Sequence, residues 1–439
     1  MPKGKPAARR TNNVNRFLTL PRELRQYIYQ DILRTSPSSL FELLMTNRQV
    51  SHEAKPSMYK QQIDFDGQVE LFEWLQDADA ECFRHVEDIS FKLHDIDPQK
   101  IVGALGKRLR QFARDRDAQS PPEDNPYREA CELEVQRIFQ SLSRLPNIKR
   151  FTLRRCTISD PQPPRHMVLA FAQLLSNRFP KLQGLTSHDE AIPLKILPSL
   201  QKLKRLSFTG ITPTEPTGMR EIFSKMEDLV ELEIYRPDPN VDDSKFQQRS
   251  GRPDMRRCQP IEILESLPYS LQTFAFHEMA GTARTPGLGQ QMVSTVQGIV
   301  EALDDHANLC CLELLSSARL ELPAKARLAT LIKSCPLKEL DIFVDDFLSF
   351  EMLPRTIARM IWRFSRPNTP SARFIDGLLA KAKEQRPRLA HLAEIIIFVD
   401  RKPVEKEVQW HQQRAVGFMR KLGITLSWES WDAPAKISL

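Results

Sequence analysis

From Val86 onward, apolar residues recur at the first, fourth and sixth positions of a six-residue core, Leu-x-x-Leu-x-Leu with conservative exchanges. Copies lie at Val86, Ile89, Phe91; at Ile148, Phe151, Leu153; at Leu203, Leu206, Phe208; and at Leu229, Leu232, Ile234. Four more lie at Leu271, Phe274, Phe276; at Leu309, Leu312, Leu314; at Leu337, Leu340, Ile342; and at Leu392, Ile395, Ile397. A ninth, at Leu182 and Leu185, fails at its last position, Ser187. The alternation predicts a short strand with its apolar side chains on one face, followed by a turn and a returning helix. Residues 98–114 supply one such helix through Ile101, Leu105, Leu109 and Phe112, and residues 129–145 another through Leu133, Ile138, Leu142 and Leu145. The segment AVGFMRKLGITLSW reads as a helix and a closing strand through Leu426 and Trp428. Stacked units bury a continuous core only when neighbours touch. The expected fold class is therefore α/β, an irregular solenoid over residues 80–432 with a curved, mostly parallel sheet and helices outside.

Residues 17–62 follow a different period. FLTLPRELRQYIYQDILR places Leu20, Leu24, Ile28 and Ile32 at four-residue spacing, with Pro21 suited to a helix start and Glu23 favourable in the first turn. A second helical pattern runs through Leu43, Leu44, Val50 and Ala54, and Asn47 suits the cap between two short helices. So few helices cannot bury a self-sufficient core, so this stripe calls for a larger body or a partner. The Leu-Pro opening, the Ile-Tyr-x-x-Ile-Leu run and the Leu-Leu-x-Thr-x-Arg-Gln-Val-x-x-Glu-Ala segment resemble the F-box and F-box-like modules of filamentous fungi. The repeats resemble, in degenerate form, the leucine-rich repeats that often follow F-boxes. Their spacings, 21 to 62 residues, often exceed the roughly 20–29 of a standard repeat. The unit at Ile148 is the closest match, with Cys156 and Ile158 completing its pattern.

The resemblance implies a non-catalytic substrate receptor of a ubiquitin ligase. Leu20, Pro21, Leu24 and Ile28 would bind a Skp-type adaptor and through it a cullin, while the repeats hold a protein substrate. An interaction scaffold outside any ligase is the alternative, with the same stripe packed against the first repeat.

The non-core strand positions form a candidate substrate-binding concave face. They include Arg150, Arg154, Arg205, Glu231, Glu233, Tyr235, His277, Glu313, Asp341 and Phe343, which turn from basic to acidic to partly apolar. Such a row fits either recognition of a bipolar protein segment or ordinary solvated polarity.

Composition narrows the remaining classes. The 439 residues are 41% hydrophobic, enough for a real core, and no apolar run is long enough to cross a membrane. The net charge of +7 owes much to the tail at residues 1–16, read as disordered and solvated. The polar stretches 115–128 and 236–260 read as insertions, the second as disordered, and 365–372 as a loop. Arg252, Arg256 and Arg257 lack the aromatic interleaving of nucleic-acid binders, so nucleic acid is an unfavoured partner. Seven cysteines with no C-x-x-C pair, and no signal sequence, favour the cytoplasm or nucleus. No P-loop, nucleophile elbow or H-E-x-x-H sequence occurs, so no enzyme activity, cofactor or metal is expected. Asp304, Asp305, His306 and, separately, His188, Asp189, Glu190 read as polar loops rather than ligand sets. Cys310 and Cys311 read as unreactive thiols.

Overall fold

The computed structural model describes residues 17–36, 42, 44–45, 47–96, 126–154, 156, 163–188, 194–209, 221–236, 260–267, 270–278, 288–315, 320–343, 350–364, 371–399 and 406–430. The basic tail, the helix expected at 98–114, most of the 115–128, 236–260 and 365–372 stretches, Asp189, Glu190, Arg252, Arg256 and Arg257 lie outside the described residues. The chain divides into two compact units, Met1–Thr152 with Cys156–Pro163, and Leu153–Arg155 with Pro164–Leu439.

The first unit opens with helices α1 (Arg22–Thr35) and α2 (Arg48–Tyr59). They close on a small core of Tyr29, Val50 and Ala54, joined by Phe17, Leu18, Ile32, Leu33, Leu44 and Met58. Asn47 caps α2 as its sequence suggests, its Oδ1 accepting from the N–H groups of Gln49 at 2.7 Å and Val50 at 3.5 Å. Strand β1 (Ile63–Phe65) follows, then α3 (Gln68–Asp77), α4 (Ala80–Phe83), β2 (Asp88–Lys92), α5 (Pro126–Leu142) and β3 (Arg150–Arg154). The last residues of β3 belong to the second unit. β1 lies parallel to β2, with Ile63 opposite Ile89 and Phe65 opposite Phe91. Cys156 is buried with its thiol on the carbonyl of Leu93 at 3.2 Å, so the turn position of this repeat satisfies the backbone of the one before it.

The buried faces of two helices follow from one geometric fact. A four-residue step rotates 400°, so a stripe spaced by four drifts 40° per step around the helix. On α1 the inward line is Arg25, Tyr29, Ile32 and Leu33, while Leu24 is 52% exposed. On α5 the inward face is Cys131, Val135, Ile138, Phe139 and Leu142, and Leu133, five residues before Ile138, faces outward.

In the second unit nine strands run parallel, each beside the next in sequence. They are β4 (Gly184–Ser187), β5 (Arg205–Thr209), β6 (Glu231–Arg236), β7 (Thr273–Glu278), β8 (Cys311–Leu315), β9 (Glu339–Phe343), β10 (Arg359–Arg363), β11 (Glu394–Val399) and β12 (Thr425–Ser430). Parallel neighbours require crossovers, and helices at Leu288–Leu303, Leu322–Ser334, Ala372–Gln385 and Lys406–Lys421 supply four of them, while a helix at Arg165–Arg178 leads into β4. This is the α/β repeat solenoid expected from the spacing. The fourth and sixth core positions stack in register, Leu232 beside Phe274 beside Leu312 beside Leu340, and Ile234 beside Phe276 beside Leu314 beside Ile342. All eight are buried. Ser187, the failed position of the ninth copy, is buried in line opposite Phe208.

Two strands went unanticipated, β1 and β10. β10 sits in a unit whose Ile357, Met360 and Trp362 hold the core spacing and are buried, but Met and Trp disguise it. The final helix stops at Gly423, whose φ of 71° lets the N–H of Ile424 turn back onto the carbonyl of Met419 at 3.0 Å. Among the described residues, no helix is long and apolar enough to cross a membrane.

Candidate functional site

Each unit carries one arrangement that its packing alone does not explain. In the first unit, Tyr29 is wholly buried while Leu24 and Tyr27 on the other side of α1 are 52% and 72% exposed, and Met45 is 88% exposed. Leu20 and Ile28 are half-buried and Pro21 is exposed at the helix start. The helix pair holds this face outward through a polar clamp on its buried side. The Arg25 guanidinium grips the Glu53 carboxylate twice, Nε to Oε2 at 2.8 Å and Nη2 to Oε1 at 2.6 Å, and donates to the carbonyls of Leu18 and Leu20. Gln49 donates to Glu53 at 3.0 Å and the Tyr29 hydroxyl donates at 3.3 Å. Chiefly through Arg25, the Glu53 carboxyl is held down to about 2. Arg25 thus ties the Leu20 carbonyl, just before the helix, to Glu53 on α2.

In the second unit the open face of the strands carries the row expected from the sequence, but the structure sorts it. At the starts of the strands the row carries ion pairs between neighbouring strands. Arg205 holds Glu231 at 2.8 Å, and Arg359 holds Glu339 at 3.0 Å and Glu394 at 2.9 Å. These pairs are partly exposed and contribute little stability each. Arg150 belongs to the first unit, where it holds Asp88 at 2.7 Å, and Arg154 is half-buried at the end of β3.

The remaining members converge. Glu233 and Tyr235 on β6 adjoin His277 on β7, which reaches Glu313 on β8, and Glu313 and Asp341 on β9 meet Arg363 of β10. Arg363 donates to both oxygens of Asp341, Nε to Oδ1 at 2.8 Å and Nη2 to Oδ2 at 2.6 Å, and lies 3.6 Å from Glu313. Its guanidinium also stacks 4.5 Å from the ring centre of Phe398 on β11. His277 Nε2 stands 3.4 Å from Glu233 and 3.5 Å from Glu313, hydrogen-bonded to neither. Tyr235 donates its hydroxyl to Glu233 and lies 4.5 Å from the His277 ring, with His188 edge-on at 5.7 Å. Phe343 sits opposite Arg363 in the strand register, half-buried.

Two carboxyl groups here share one guanidinium, and these two, Glu313 and Asp341, are direct cross-strand partners. Like charges in that position repel. Burial, then Asp341, pushes the Glu313 carboxyl up to about 8 against the opposing pull of Arg363. Burial lowers His277 to about 4, so the imidazole is neutral, and burial with Glu233 raises the Tyr235 phenol. Neighbouring Cys311 is pushed up to about 12, chiefly by burial, which disfavours its thiolate.

Three members were missed in the sequence. Arg363 and Phe398 escaped because β10 was not recognised and because both positions of the β11 run are apolar. His188 was read as part of a polar loop, although it follows β4 directly. His306, read likewise, is buried with Nε2 3.4 Å from the carbonyl of Leu264, while Asp304 and Asp305 point outward. Among the described residues, no three His, Cys, Asp or Glu side chains are placed to hold a metal ion.

No family model matches the chain, and no curated protein matches it. Among solved structures, the crystal structure of the Rad7 and Elc1 complex in yeast aligns over 95% of this chain and 95% of that one. The identity is 13% and the TM-score 0.37, so the description of the fold rests on the strand registers alone.

Proposed function

We propose that the chain is a non-catalytic substrate receptor, in which α1 and its neighbours dock on a Skp-type adaptor of a cullin ubiquitin ligase and the repeats hold a protein substrate. The observation that carries this reading is the split of α1 into a buried line through Tyr29 and an open apolar face at Leu24 and Tyr27. A scaffold that used this helix only for internal packing would bury Leu24. The chemistry of such a receptor is positioning, since holding a substrate lysine near a charged carrier converts a chance encounter into a near-intramolecular one.

The test is affinity purification of the full chain from cells with proteasome activity blocked. The expected result is recovery of a Skp-type adaptor and a cullin, lost on changing Leu24 and Tyr27 to serine. An unmodified chain that recovers no adaptor refutes the proposal.

A further inference from the structure

The carboxylate-rich cluster on the open face is built at a cost that the solenoid does not require. A β8–β9 pair could carry apolar or opposite charges at the Glu313 and Asp341 positions and would be more stable for it. Charged groups this buried are kept where they meet something. Asp341 is already spent, since both its oxygens lie on Arg363. Glu233 and Glu313 are less fully engaged, Glu233 accepting from the Tyr235 hydroxyl on one oxygen and Glu313 standing 3.6 Å from Arg363. Their nearest oxygens approach the same nitrogen, His277 Nε2, at 3.4 and 3.5 Å, and that imidazole forms a hydrogen bond with neither. Beside Glu233 in the register, the Ser207 hydroxyl is buried within a residue only 7% exposed and has no hydrogen-bond partner. A buried hydroxyl left in this state costs free energy until a ligand group supplies the bond.

The walls define the ligand further. Tyr235 and His277 lie ring against ring at 4.5 Å, with His188 edge-on to Tyr235. Flat aromatic surface beside carboxyl oxygens with lone pairs left to accept is the setting that takes a cationic side chain, by charge-assisted hydrogen bonds on one side and the ring face on the other. A metal ion is a poor fit, since no ligand set for one is present among the described residues.

We infer that the Glu233–His277–Glu313 cluster is a subsite for a lysine or arginine side chain of the bound protein segment, with Ser207 and Tyr235 completing its walls. This deepens the receptor reading by naming the chemistry of the substrate, and its test does not involve the adaptor. The charged and titratable groups facing Glu313 are Glu233, Tyr235, His277, Glu339, Asp341 and Arg363. A cation placed beside Glu233 and Glu313 offsets their repulsion and favours release of the proton that Glu313 otherwise holds. Binding therefore strengthens from pH 6.5 to pH 8.5, by up to about tenfold per pH unit below the free-state value.

The experiment uses the purified full chain on an array of peptides randomised around one fixed residue, either arginine, lysine, citrulline, norleucine or glutamate. Arginine or lysine peptides should be retained at least about tenfold over their neutral counterparts, the difference of one charge-assisted bond. The two basic arms show which cation is preferred. Combined Glu233→Gln and Glu313→Gln substitution should abolish the preference in a chain whose circular dichroism is unchanged. Glu233→Gln alone, at a half-exposed site with no ion pair to lose, provides the readout if the double variant misfolds. Equal retention of basic and neutral peptides, a preference that survives both variants, or no retention by the folded chain each overturns the subsite. Loss of adaptor capture with this preference intact would count against the receptor reading alone.

Discussion

Replacing Glu313 by glutamine should stabilise the second unit, and the gain should grow with pH. Glu313 has an ordinary value of 4.5 and is raised to about 8 in the fold. An acid raised in this way contributes its full stability below pH 4.5 and loses it as pH rises towards 8, because the unfolded chain ionises first. At pH 7 that difference amounts to about 3 kcal/mol, and at pH 8 to about 4 kcal/mol, against under about 1 kcal/mol at pH 5. Glutamine keeps the volume and cannot ionise, while Arg363 retains both bonds to Asp341. The variant should match the native chain within about 1 kcal/mol at pH 5, the worth of one altered hydrogen bond, and exceed it by about 3 kcal/mol more at pH 8. Urea unfolding followed by tryptophan fluorescence at several pH values measures this, since buried Trp362 lies on the strand beside Asp341. His277, lowered to about 4, is common to both chains, so its titration falls out of the comparison. A difference that stays flat from pH 5 to pH 8, or a variant less stable at pH 8, would refute the reasoning.

Glu53 predicts the opposite slope in the first unit. Its carboxyl is held down to about 2, so its contribution is fully present above pH 4.5 and disappears as pH falls towards 2; Trp74 fluorescence in acid should show the loss, and Glu53→Gln should lower stability at pH 7 and flatten the acid dependence. The two sides of α1 should respond differently to truncation. Tyr29→Ala should cost about 3–5 kcal/mol in thermal or urea unfolding, whereas Leu24→Ser should stay within about 0.5 kcal/mol. Gly423→Ala should cost about 1 kcal/mol by forcing a Cβ into a left-handed conformation, with the effect read as faster hydrogen exchange at the end of the last helix.

Spacing alone made the strand positions of this chain legible. Every Leu-x-x-Leu-x-Leu copy became a strand, because a side chain that alternates inward on a parallel sheet has no other way to stay dry. The same logic decides less on helices. Leu24 and Leu133 belong to apolar patterns yet face outward, because four- and five-residue spacings rotate off the buried line and which line is buried depends on what lies underneath. β10 was hidden for a simpler reason: Met360 and Trp362 fill the inward positions as well as leucine does, but do not read as the repeat.

The candidate cluster shows the same division between chain and fold. Glu233, Tyr235, His277, Glu313 and Asp341 were identifiable one by one, since the period assigns each to the open face of its strand. What the sequence by itself determined was therefore the parallel sheet, the core rows and the side of the sheet on which each polar residue stands. Residues 233 to 363 meet only because successive strands pair in one register, and that register is a property of the stacked units. The tertiary structure alone brought Arg363 onto Asp341, left Glu233 and Glu313 facing one imidazole, and buried them enough to hold a proton on Glu313. Burial and cross-strand distance set the energy of a charge, and neither is written in the order of residues along the chain.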